Sequence, residues 1–177
     1  MGHILSKHGI SPVNSKLDVI RLAPRPKDVS QMRSFLGMLN YYSKFIQDFS
    51  SKLHPLYQLL SNKTEWFWTK ECETAFIWAK EVLSIKQVLV YYDLQKPLIL
   101  SVDANSYGIG VVLSHRMEDG SEQQVEFASR TLSSAEKNYA QIEKEGLAIV
   151  FGVKRFQLYL HGRKVTLVTD HQPLTRS

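Results

Sequence analysis

The chain has 177 residues, 44% apolar, 11% aromatic and 22% charged, enough for one ordinary domain or two small ones with a packed core. That composition excludes a complete multidomain polymerase, a disordered tract and a low-complexity protein, and the lone cysteine, Cys72, excludes a disulfide framework and an all-cysteine zinc site. The net charge of +5 is uneven: residues 1–64 hold nine Lys/Arg against three acids, net +6, and the remainder holds thirteen against fourteen, which points to a polyanion partner for the first part.

In chain order, HIL and GIS around the turn SKHG read as a small hairpin, and LDVIRL as a short helix. After the proline-punctuated APRPKD, Val29, Met32, Leu36, Leu39, Ile46 and Phe49 recur in threes and fours, which predicts one long amphipathic helix or two abutting ones. Pro55 lies in another short helix, and Thr69 is a good N-cap for a helix with Cys72, Ala75, Phe76 and Ala79 on one face. From residue 88 the runs VLVYYD, PLILSVDA, YGIGVVLSH and QQVEFASR read as β-structure, with a turn at MEDGS. Ser133 and Glu136 form a capping-box pattern that predicts a helix to about Leu160, closed by Gly162, before a final strand KVTLVTD. That strand is expected to be central and parallel, and with seven residues after it the domain is expected to be incomplete at its C-terminus. No apolar run approaches the ~20 residues of a membrane span, and no secretory signal is visible, so an intracellular protein, cytoplasmic or nuclear, without a membrane partner is expected.

Acids that end strands suit metal-dependent phosphoryl chemistry, which needs oxygen ligands held on rigid elements. Asp103 follows PLILSV and precedes Gly108 and Gly110, which allow close approach of a backbone or ligand, and Asp170 ends VTLVT. On the long helix the apolar stripe reads Tyr139, Ile142, Gly146, Ile149, Val153, Phe156 and Leu160, with Lys144 toward solvent. Glu143 and Glu145 flank that stripe on opposite sides, and helical geometry does not choose between them. Two strand-end aspartates and a helical glutamate suit a pair of magnesium ions acting on a phosphodiester.

The segments LSVDANSYGIGVVLS, FASRTLSSAEKNYAQIEKEGLAIV and LYLHGRKVTLVTDHQPLT resemble the RNase H domain in the Pol polyprotein of gypsy-type LTR retrotransposons. Upstream, GHILSKHGISPVNSKLDVI, MRSFLGMLNYYSKFI and WTKECETAF resemble the end of the reverse-transcriptase palm, the thumb and the connecting helices of that polyprotein. The resemblance implies an α+β architecture: a helical thumb-like module with its palm end and connecting helices over residues 1–85, then a mixed α/β RNase H-like sheet domain over 86–177. It implies Mg²⁺-dependent hydrolysis of the RNA strand of an RNA–DNA hybrid in the intact parent, with two ions, Mn²⁺ as a substitute, and the remainder of the Pol polyprotein as partner. Its first and third acids fall on Asp103 and Asp170, and its Glu-x-x-Ala on Glu145 and Ala148, which separates Glu145 from Glu143. By the same likeness Asp103 bridges both ions while Glu145 and Asp170 each favour one. The family's fourth acid and the paired palm aspartates have no counterpart here, so a catalytically dead remnant that binds nucleic acid or a protein is the alternative expectation.

Two positions depart from the family pattern: Gly146 stands where a large apolar residue is usual, and Ser43 where an arginine is common. Arg33, Lys44 and Lys52 are the candidates for hybrid-backbone contacts, since a thumb grips phosphates without reading sequence. Trp66, Phe67, Trp68, Tyr41 and Tyr42 are read mainly as core, and His171 as a packing or hydrogen-bonding neighbour of Asp170.

Overall fold

In a computed structural model, described over residues 3–61, 66–83 and 89–169, the N-terminal hairpin forms from β1 (His3–Ser6) and β2 (Gly9–Pro12), followed by α1 (Asn14–Arg21). Helix α2 (Val29–Asn40) starts where the Asp28 side chain accepts from the Gln31 N–H at 2.8 Å, and it buries Met32, Phe35, Leu36 and Leu39. Of the one long helix or two abutting ones expected to run on to Phe49, a single helix forms and stops at Asn40. The Ser43 hydroxyl donates to the Asn40 carbonyl at 2.8 Å, a 3₁₀ turn covers Ser43–Phe45, and Asp48 adopts a left-handed backbone with φ 53°, which no helix interior tolerates. Two short helices follow, α3 (Phe49–Lys52) and α4 (His54–Gln58), the latter with Pro55 in its first turn. Helix α5 (Lys70–Val82) has Thr69 as its N-cap, as expected, with Cys72, Ala75, Phe76 and Ala79 buried. These elements share one apolar core, in which Phe35 meets Phe76 at 4.9 Å and into which Phe45, Ile46, Phe49, Leu53 and Leu56 project.

The second core lies under a four-stranded sheet built from β3 (Leu98–Ala104), β4 (Gly108–Arg116), β5 (Glu122–Thr131) and β6 (Val165–Thr169) in the order β5-β4-β3-β6. The first three pair antiparallel, and β6 lies parallel to β3 with Val102 opposite Thr169. Among the described strands β6 is at the edge, not central. The expected strand from residue 88 does not form over residues 89–93, because its backbone groups find separate partners. Leu89 bridges Ile10, Val90 donates to the Gln124 carbonyl, and Asp93 donates to the His115 imidazole.

The helix expected from Ser133 begins at residue 141. The Ser133–Glu136 capping box is present, but it closes only a 3₁₀ turn over Glu136–Asn138. A second, one-way cap, in which the Ala140 N–H donates to the Glu143 carboxylate at 2.7 Å, opens α6 (Gln141–Arg155), and α7 (Gln157–Leu160) continues beyond a break at Phe156. The buried face of α6 also differs from the expected stripe. Glu145, Ala148 and Gly152 face inward with Phe156 beyond them, Lys144 is 8% exposed instead of solvated, and Ile142 and Val153 are 58% and 47% exposed. The reason is a close approach to the sheet: a Cβ on Gly152 would lie 3.1 Å from Val111 and 3.3 Å from Leu100, so the helix contributes small residues and the strands large ones.

Candidate active site

Side chains alternate along a strand, and Leu100 contacts the α6 side, so Asp103 points to the opposite face of the sheet. There it lines a cavity with Ser101, Val112, Phe127, Gln47 and Asp48. Asp48 is a site residue that sequence reasoning missed. It stands 55 positions before Asp103 with no shared spacing, and the only signal was Gly110, whose missing Cβ would lie 3.0 Å from Asp48 Oδ1. Burial, reinforced by the nearby Asp103 carboxylate, raises the Asp48 pKa, and Lys52 opposes the shift.

The segment carrying Asp48 lies along the start of β4. A Cβ on Gly108 would come within 2.6 Å of Ser51 Oγ and 3.0 Å of the Arg130 carbonyl. The Asn105 side-chain oxygen accepts from the Tyr107 and Gly108 N–H groups at 2.9 and 3.0 Å, while its amide nitrogen donates to Ser51 Oγ at 3.1 Å. One strand further, the Ser50 N–H donates to Ser129 Oγ at 3.0 Å. The close approach anticipated at Gly108 and Gly110 is thus made by residues of the chain's own N-terminal half.

Glu145 reaches the same ends of β3 and β6 from the α6 side. It is 5% exposed, and its two oxygens accept from the Gln141 amide at 3.2 Å and the Thr169 hydroxyl at 3.1 Å. Gln141 also donates to the Ala104 carbonyl at 2.6 Å, which ties the first turn of α6 to the last residue of β3. Glu143, the other candidate, spends its carboxylate on the Ala140 N–H and stays exposed. Asp103 and Glu145 therefore stand at the ends of two neighbouring strands, on opposite faces of the sheet. Asp170 and His171 lie outside the described residues.

Carboxylate oxygens suit a hard cation such as Mg²⁺. Among the described residues no group of three His, Cys, Asp or Glu could hold a metal ion.

Of the expected phosphate contacts, Arg33 is exposed on α2 and Lys52 is exposed at the end of α3, while Lys44 is half-buried with its ammonium 5.3 Å from the centre of the Phe45 ring. Tyr42 is buried and Trp66 and Trp68 pack against the first core, whereas Phe67 is 72% exposed. No helix among the described residues is long and apolar enough to cross a membrane.

Residues 68–167 match the family model described as the RNase H-like domain found in reverse transcriptase. The chain belongs to this family. The RNase H-like match agrees with the curated relatives. The chain is 34% identical to the retrovirus-related Pol polyprotein from transposon 412 and 36% identical to that from transposon gypsy, both of Drosophila melanogaster, in each case over 99% of its length. It is 33% identical over 98% of its length to the Tf2-3 transposon polyprotein of Schizosaccharomyces pombe. It spans only 14%, 18% and 13% of those three polyproteins. Two solved foamy viral protease-reverse transcriptase structures, one in complex with an RNA/DNA hybrid and one with double-stranded DNA, superpose over 96% and 98% of the chain with TM-scores of 0.81 and 0.82. The chain covers 23% and 31% of those structures, and at 19% identity this likeness concerns the fold. The resemblance to gypsy-type Pol polyproteins and the α/β architecture both hold.

Proposed function

We propose that this RNase H-like chain takes part in hydrolysis of the RNA strand of an RNA–DNA hybrid, with Asp103, Glu145 and Asp170 as ligands of Mg²⁺. The observation that carries this reading is the placing of Asp103 at the end of β3 and of a buried, doubly hydrogen-bonded Glu145 against the end of the parallel β6. Bound Mg²⁺ supplies charge stabilisation for the phosphodiester and lowers the pKa of a coordinated water.

The chain's own residues position that chemistry. Thr169 and Gln141 hold Glu145 in one rotamer, so its carboxylate stays oriented before any ion arrives. Asp103 sits on a strand paired on both sides, which limits its movement. Residues 1–85 serve as the hybrid-gripping part and 86–177 as the cutting part, with Arg33, Lys44 and Lys52 taking backbone phosphates without reading sequence. The rest of a Pol polyprotein is the partner in which this arrangement works.

The test is cleavage of end-labelled RNA in a hybrid with Mg²⁺ present. Asp103→Asn is expected to lower the rate by roughly a hundredfold or more, as loss of a metal ligand does. A rate unchanged by that substitution overturns the assignment.

A further inference from the structure

A second cleft, of about 1020 Å³, opens where α4 and the start of α5 meet the β3–β4 turn. His54 lines it, is only 9% exposed, and has an Nε2 with no hydrogen-bond partner among the described residues. Such a buried polar atom is rare unless something else satisfies it. The imidazole stacks on Tyr107, ring centres 4.8 Å apart at 26°, and Tyr107 is 52% exposed. Phe67, 72% exposed, and Trp78 add further aromatic wall, and Lys52 and Lys70 stand exposed at the rim.

We propose that this cleft binds unpaired nucleotides: a base stacks beside Tyr107 and Phe67, its edge meets His54 Nε2, and the flanking phosphates take Lys52 and Lys70. Exposed ring faces stack on bases only when those bases are unpaired, because a duplex hides them. Charge complementarity favours a nucleic acid strand over a protein, since Lys52 belongs to the first 64 residues, which carry net +6, and Lys70 adds a second cation at the rim. Among the described lining residues the acid is Glu71, whose own backbone N–H and the Thr69 side chain lower its pKa and keep it ionised at the start of α5. Burial, helped by Lys137, lowers the His54 pKa and favours a neutral imidazole, whose Nε2 donates to or accepts from a base according to the tautomer. The cleft shares no lining residue with the Asp103 cavity, although Lys52 at its rim also faces Asp48, and it needs no metal ion.

The test is a titration of the full chain with a short oligothymidylate and, separately, oligouridylate, in EDTA so that cleavage plays no part. Binding is read by fluorescence anisotropy and by the His54 ring resonances, assigned from their loss in His54→Gln. The expected result is a shift of those resonances on saturation by at least one strand, with the stronger binder identifying RNA or DNA as the natural occupant. Tyr107→Leu, at an exposed position, is expected to weaken binding about tenfold, and Tyr107→Phe to restore it. Lys70→Gln is expected to reduce the salt dependence by about one phosphate contact.

Three results overturn the proposal: no binding by either strand, binding that leaves the His54 resonances unmoved, or equal affinity in Tyr107→Leu. Resonance shifts that follow protein concentration alone, with sedimentation showing a dimer, would assign the cleft to a second copy of the chain and also overturn it. Because no metal ion or hybrid is used, failure here leaves the cleavage reading untouched.

Discussion

The Thr169 hydroxyl donates to Glu145 at 3.1 Å, linking the end of β6 to the first turns of α6. If Glu145 is a metal ligand, Thr169 is its positioning residue. Thr169→Val keeps the shape and removes the donor. The expected outcome is a roughly tenfold loss in hybrid cleavage with a rise in the Mg²⁺ concentration needed for half activity, and recovery in Thr169→Ser. A magnesium titration of cleavage rate checks it, and an unchanged half-saturation point would remove Thr169 from the site.

Gly108 lies in the contact between the two halves of the chain. Gly108→Ala would push a methyl against Ser51 Oγ at 2.6 Å and the Arg130 carbonyl at 3.0 Å, and the carbonyl belongs to a paired strand and cannot swing aside. A loss of about 1–3 kcal/mol is expected in chemical denaturation. Faster amide exchange in α3 should accompany it.

Two glycines on α6 should respond in opposite senses. A methyl at Gly146 meets nothing within 4 Å, so Gly146→Ala is expected to gain about 1 kcal/mol from helix propensity alone. Gly152 packs on Val111 and Leu100, so Gly152→Leu is expected to cost about 1–3 kcal/mol by overpacking. Paired thermal melts distinguish the two.

Burial, with the nearby Asp103 carboxylate second, raises the Asp48 pKa, so its charged form is disfavoured on folding. That penalty is present above the folded pKa and disappears as pH falls through it. Asp48→Asn, which also suits the left-handed backbone at φ 53°, is therefore expected to raise stability at pH 7. The gain over the parent should shrink in acid; urea melts at several pH values would show whether it does.

Glu136 behaves in the opposite way. Arg130 grips it at 2.8 and 2.9 Å, and together with the Ser133 N–H this lowers its pKa from 4.5 to about 2. A depressed carboxylate stabilises the fold above its unfolded pKa and loses that contribution as pH falls from 4.5 toward 2. Glu136→Gln should flatten the stability profile in that window, measured by acid titration of circular dichroism.

What the sequence determined by itself was mostly local. Asp28 and Thr69 announce helix starts because a side-chain oxygen two or three residues ahead of an unpaired N–H is enough to cap it. The runs at β3, β4 and β5 announce strands through β-branched residues and a glycine turn, and Gly120 at φ 83° makes that turn. The acids at Asp103 and Glu145 were legible as candidates, and only family resemblance separated Glu145 from Glu143. The tertiary structure supplied a physical ground for that separation: Glu143 closes its own helix cap, while Glu145 is buried and answered by Thr169. Which face of α6 turns inward was likewise a tertiary decision. Several faces of that helix are apolar, and the choice fell on Ala148 and Gly152 because small side chains let the helix settle on Leu100 and Val111. The nearness of Asp48 to Asp103 depends on residues far apart in the chain, and no periodicity encodes a distance of that kind.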